Sequence, residues 1–116
     1  MRNFWIGIAA AGALMSIGGA AHAASFDCNR AKSADEKAIC ANRALNDKDV
    51  QMAQLFSITK KVVPMGMGGN LRDTQQTWLV SRNRCRGNVA CLHRSYDARI
   101  ATLNQVMERV YRAGPF

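Results

Sequence analysis

Leu71, Gln75, Trp78, Arg82 and Cys85 recur at steps of four and three, with Leu79 beside them. That spacing aligns one helical face and predicts a helix over about 71–85. A second seam, Leu92, Tyr96, Arg99 with Ile100, Leu103 and Met107, predicts a helix over about 89–112, ended by Gly114-Pro115. Leu45, Asp49, Met52 and Phe56 share a third face, on a helix that Pro64 stops after Val62 or Val63. Asn46 or Asp47 is its expected N-cap, with Asp47 and Asp49 suiting the positive helix end. Ser33-Ala34-Asp35-Glu36 reads as a capping box that opens a short helix through about Asn42. Strand signals are almost absent. The predicted fold class is therefore all-α, a small bundle of about four helices ending in an antiparallel hairpin through Arg86-Gly87-Asn88. Met65–Asn70, with its three glycines, is predicted to be a flexible connection.

The N-terminus has a different character. After Arg2, the run from Phe4 to Ala20 has no charge, and Ala21-His22-Ala23 follows with small residues where a signal peptidase reads them. Residues 1–23 are predicted to be a signal peptide cleaved before Ala24. Gly7, Gly12, Gly18 and Gly19, and the lack of a closing Lys or Arg, argue against a transmembrane helix. Residues 24–116 then form one domain, with no membrane span after processing and a periplasmic or secreted location. Of sixteen basic residues only Arg2 leaves with the leader, so the remainder faces eight acids with a net charge of +7. Such a balance favours anionic partners, or simply solubility.

Cys28, Cys40, Cys85 and Cys91 all lie beyond the leader, and an even number in an exported chain implies disulfides. Zinc is the competing reading, but no C-x-x-C pair occurs and His93 is the one histidine beyond the leader. Three pairings are possible; the two local bridges, Cys28–Cys40 and Cys85–Cys91, are favoured. Each closes a short loop, an effect of roughly 2–3 kcal/mol in the chain-entropy description.

Polar residues on the apolar seams are the most informative candidates. Asp49, Gln75, Arg82 and Arg99 each fall on a face that should be buried, where an unpaired charge is costly. They are expected to form an internal network in which Asp49 or Glu36 pairs with Arg82 or Arg99. No nucleophile with a base beside it, no carboxylate pair in an apolar setting and no phosphate-binding loop is visible. The chain is therefore expected to be no enzyme and to need no cofactor or metal. Arg84, Arg86 and Arg94 flank the Cys85–Cys91 turn and could recognise an anionic partner. Nucleic acid fits poorly, because no aromatics are interleaved with the arginines.

The spacing of these residues resembles the N-terminal domain family of the lysozyme inhibitor LprI. The resemblance is carried by Phe26-Asp27-Cys28, Glu36-Lys37-Ala38-Ile39-Cys40, and Leu45 with Asp49. It continues through Gln75-x-x-Trp78-Leu79-x-x-Arg82-x-x-Cys85 and Cys91-Leu92-x-x-x-Tyr96-x-x-Arg99-Ile100-x-x-Leu103. These blocks span residues 26–103 in order; Phe56 stands where a tyrosine is common. The resemblance implies an all-helical, disulfide-bonded domain of the bacterial envelope, with lysozyme or another envelope protein as partner. An inhibitor of a basic lysozyme would need a local acidic patch, for which Asp35, Glu36, Asp47 and Asp49 are the candidates. The alternative is an envelope protein whose basic face holds anionic lipid or cell-wall polymer.

Overall fold

The computed structural model describes Gly12 and residues 24–114. The predicted signal segment otherwise lies outside the described residues. A 3-10 turn, Cys28–Arg30, leads into four helices: α1 (Ala34–Ala41), α2 (Arg43–Val62), α3 (Met67–Asn83) and α4 (Val89–Ala113). No strand occurs among the described residues.

Helix starts follow side-chain capping where the sequence offers it. Ser33 Oγ accepts from the Glu36 amide at 3.0 Å and opens α1. Asn88 Oδ1 accepts from the Cys91 amide at 2.9 Å and opens α4. The start of α2 differs from expectation. Neither Asn46 nor Asp47 is its cap; Asn42 is, with Oδ1 accepting from the Leu45 amide at 3.0 Å. Asn42 is extended (φ −113°, ψ 112°), and its own N–H donates to the Ala38 carbonyl, so one residue ends α1 and starts α2. With α2 capped at Asn42, Asp47 and Asp49 fall inside the helix rather than at its positive end.

The expected loop over Met65–Asn70 is also shorter. Gly66, at φ 99°, takes the left-handed turn that no other residue type adopts as readily, and α3 begins at Met67. The first turn of α3 lies against the last turn of α2, where a Cβ on Gly68 would stand 3.9 Å from the Lys60 carbonyl.

Three contacts give the hairpin direction. Arg82 meets Tyr96, Trp78 meets the Ser95 carbonyl, and Arg99 meets Gln75, so α4 runs antiparallel to α3. Met52 meets Gln75 across the preceding pair, and α2 therefore runs parallel to α4. The core between them holds Ile39, Leu45, Met52, Leu71, Leu92, Tyr96, Leu103 and Val106. Both cysteine pairs form the local bridges, Cys28–Cys40 and Cys85–Cys91. The first ties the entry segment to α1; the second closes the α3–α4 turn.

Candidate functional site

The seam residues converge in the middle of the bundle. Asp49 of α2 is fully buried, and its Oδ1 accepts from the Tyr96 hydroxyl of α4 at 2.7 Å. The same hydroxyl oxygen accepts from Arg82 Nη1 of α3 at 3.1 Å. Asp49 and Arg82 are thus linked, but through a phenol rather than directly. Trp78 closes the group: its ring stands edge-on to Tyr96 at 5.1 Å, and Arg82 lies over it at 5.7 Å. Its indole N–H donates to the Ser95 carbonyl at 3.0 Å. Burial, and then the Asp49 charge beside it, hold the Tyr96 phenol well above its ordinary range.

A second pair sits one turn further along. Arg99 Nε donates to Gln75 Oε1 at 2.9 Å, and Nη2 reaches Thr74 Oγ1 at 3.4 Å. Gln75 turns its amide nitrogen to the Met52 sulfur at 3.2 Å. Arg99 therefore meets a neutral amide, not a carboxylate, and burial lowers its pKa from the usual guanidinium value. Its partner on the seam carries no charge, so the pair joins α3 to α4 through a hydrogen bond rather than an ion pair.

Other predicted residues lie elsewhere. Glu36 does not join Arg82 or Arg99; its carboxylate accepts from Ser33 Oγ at 3.2 Å and completes the α1 cap. Asp35 is 2% exposed and accepts from the Gly87 amide at 2.7 Å. Neither Asp35 nor Asp49 can therefore contribute to an acidic surface patch. Asp47 remains exposed. Arg84, Arg86 and Arg94 are exposed around the Cys85–Cys91 turn, where Arg86 itself is left-handed at φ 50°. Arg94 lines a shallow groove of about 330 Å³ with Trp78, Ser81 and the disulfide. His93 is half-buried, and its Nδ1 has no hydrogen-bond partner among the described residues.

The opposite end of the bundle is apolar. Val62, Met65, Met67 and Tyr111 are exposed there, and a groove of about 400 Å³ runs between Val62, Pro64, Met67, Val110 and Ala113, with Arg109 at its side. No cluster of three His, Cys, Asp or Glu that could hold a metal occurs among the described residues, and none of their helices is long and apolar enough to cross a membrane.

Sequence reasoning did not anticipate three partners: the Tyr96 hydroxyl, the Gly87 amide and the Ser25 amide, which donates to Asp49 Oδ2 at 2.6 Å. Tyr96 was legible in principle, because it lies on the same seam as Arg99 and carries a polar tip. The two backbone donors leave no trace in residue type. No protein-family model, curated protein or solved structure matches this chain.

Proposed function

We propose that this chain is an exported, non-enzymatic binding domain of the bacterial envelope, of the kind its resemblance to the LprI N-terminal family implies. One observation carries the reading: the buried polar side chains engage one another inside the bundle, while Arg84, Arg86 and Arg94 stand exposed around the Cys85–Cys91 turn. Asp49, Tyr96 and Arg82 hold one another, and Gln75 and Thr74 hold Arg99. The two buried acids and the two buried arginines cancel, so the surface keeps the whole positive excess.

Lysozyme is the target that the resemblance supplies. With Asp35 and Asp49 buried, an inhibitory contact with a basic lysozyme would have to rest on scattered acids such as Asp47 and Asp97 against long-range repulsion. The exposed arginines favour a second reading, in which the ligand is anionic lipid or cell-wall polymer. Arg84 and Arg86 stand on a turn held by a disulfide and Arg94 on the adjoining start of α4, which reduces the ordering cost of binding.

Lysozyme turnover in the presence of micromolar protein, at low and physiological salt, separates the two. Inhibition that survives physiological salt supports lysozyme as the target; no inhibition in either buffer removes it. Co-sedimentation with anionic vesicles or purified cell-wall polymer, weakening steeply as salt rises, supports the anionic ligand. Equal retention of an Arg84→Ser/Arg86→Ser/Arg94→Ser variant would move the contact away from the disulfide turn.

A further inference from the structure

We propose that Asp49 is the internal receptor for the α-ammonium group created by cleavage between Ala23 and Ala24, so that leader removal gives this buried carboxylate a second cation, on the side away from Arg82. The inference rests on the export reading above, and its physical basis is the setting of Asp49. The side chain is fully buried, and both carboxylate oxygens are held by neutral donors: the Tyr96 hydroxyl at 2.7 Å and the Ser25 amide at 2.6 Å. None of the ion pairs among the described residues involves Asp49. Arg82 makes no direct contact with it and is linked to its Oδ1 side through the Tyr96 oxygen, which leaves the Oδ2 side with the Ser25 amide alone. A carboxylate removed from water is costly to keep ionised unless a cation stands close.

The entry segment lies where such a cation is needed. Ala24 is 9% exposed and belongs to the core cluster. Successive backbone nitrogens are separated by about 3.7 Å at most, from standard bond lengths. Since the Ser25 nitrogen touches the carboxylate, the Ala24 nitrogen stands within about 6 Å of it. In the intact chain that nitrogen is a neutral amide. Hydrolysis adds one water across the Ala23–Ala24 bond: Ala23 leaves as a carboxylate, and Ala24 keeps an amine. At neutral pH the amine takes up a proton, since α-amino groups ordinarily titrate near about 8.

The result is a unit charge opposite Asp49, at a distance where attraction is substantial in a partly dry setting. Asp49 is already joined to α4 and α3 through Tyr96 and Arg82, so the new ion pair braces the whole central network. Processing then acts as a fastening step, and the disulfides formed in the same oxidising compartment act alongside it.

The test compares two proteins whose described core is identical. One starts at Ala24, released without extra residues from a cleavable fusion; the other carries Gly-Gly before Ala24. The extension carries the ammonium about 7 Å further away. The protein starting at Ala24 should melt about 4–8 °C higher, the shift that a roughly five-fold change in folding constant gives in a domain of this size. In Asp49→Asn that difference should vanish. Equal melting temperatures in the two wild-type forms, or a difference that persists in Asp49→Asn, overturn the proposal.

If Asp49→Asn does not fold, labelling decides. The Ala24 amine of the folded protein should acylate at least ten-fold more slowly than that of the urea-denatured protein, read by mass spectrometry. Equal rates overturn the proposal. N-terminal sequencing of the protein from its native host separately tests processing: a processed start other than Ala24 overturns the proposal, and an intact leader defeats the export reading.

Discussion

The Asp35 carboxylate accepts a 2.7 Å hydrogen bond from the Gly87 amide, joining the first turn of α1 to the α3–α4 turn across 52 positions of the chain. Asp35 is buried, so its removal strands a backbone donor. Asp35→Ala should cost about 1.5–3 kcal/mol in urea denaturation, the range for hydrogen bonds to charged groups. Asp47→Ala, an exposed reference on α2, should stay within about 0.5 kcal/mol. Gly87→Ala should also destabilise. Its φ is 81°, and the added Cβ would stand 3.3 Å from the Ala34 carbonyl oxygen, a strain of about 1–2 kcal/mol.

Tyr96→Phe keeps the ring against Trp78 and deletes the oxygen that joins Asp49 to Arg82. The expected loss is about 1–3 kcal/mol, because two buried charged groups each lose a partner. Far-UV circular dichroism should be unchanged. A loss no larger than that of an exposed-site control would show that the phenol does not link the three helices.

Alkaline pH should act through the same residue. The Tyr96 phenol is held above its ordinary value of 10.0, chiefly by burial. Between that value and the folded-state pKa the native protein keeps a proton that the unfolded chain releases, so stability falls as pH rises. The contribution is fully present below about pH 10, and its loss approaches about 1.4 kcal/mol per pH unit above it. In a Tyr111→Phe background, phenolate absorbance should appear only together with unfolding. Urea titrations from pH 9 to 11.5 should show a flatter profile for Tyr96→Phe.

The α3 start offers a stabilising change. Gly68 and Gly69 are helical and lack positive φ; an added Cβ meets only the Lys60 carbonyl at 3.9 Å at the first and nothing within 4 Å at the second. Alanine at each should raise stability by about 0.4–1 kcal/mol. Gly66→Ala, at φ 99°, should lower it. A melting curve for the double Gly68→Ala/Gly69→Ala variant above that of the parent is the expected outcome.

Replacing Cys85 and Cys91 by serine should cost about 2–3 kcal/mol through the reopened loop. Because Asn88 still caps α4, helix content should persist while the midpoint falls. The same midpoint as the parent would mean that the hairpin turn is held by Asp35 and the cap alone.

Much of this architecture is legible in residue order. The seams through Trp78 and Tyr96 fix which faces of α3 and α4 meet, and Ser33 and Asn88 mark two helix starts by side-chain chemistry. Asn42 is harder to see, because Asn46 and Asp47 offer equally good capping oxygens, and only the packing of Leu45 decides among them. The start of α3 is obscured by low helix propensity at Gly68 and Gly69, which contact with α2 overrides. In the candidate site, sequence identifies Asp49, Gln75, Arg82 and Arg99 as seam residues. It does not show that a phenol mediates one contact, or that Asp35 lies beneath a glycine turn. Those depend on backbone amides and long-range geometry.

The two bridged loops share one end of the bundle, since the Asp35–Gly87 contact brings the α1 segment against the Cys85–Cys91 turn. The other end, where α2 passes into α3 beside the last turns of α4, has no disulfide among the described residues and is mainly apolar, with exposed methionines and Arg109 beside the groove. Opening should therefore be directional. Amides of Val106 and Leu71 should exchange with solvent through partial opening, while those near Ile39 and Leu92 should exchange only when the whole molecule unfolds. A protease should make its first cut near Met65–Gly66, leaving two fragments held only by noncovalent packing, since each bridge lies within one fragment.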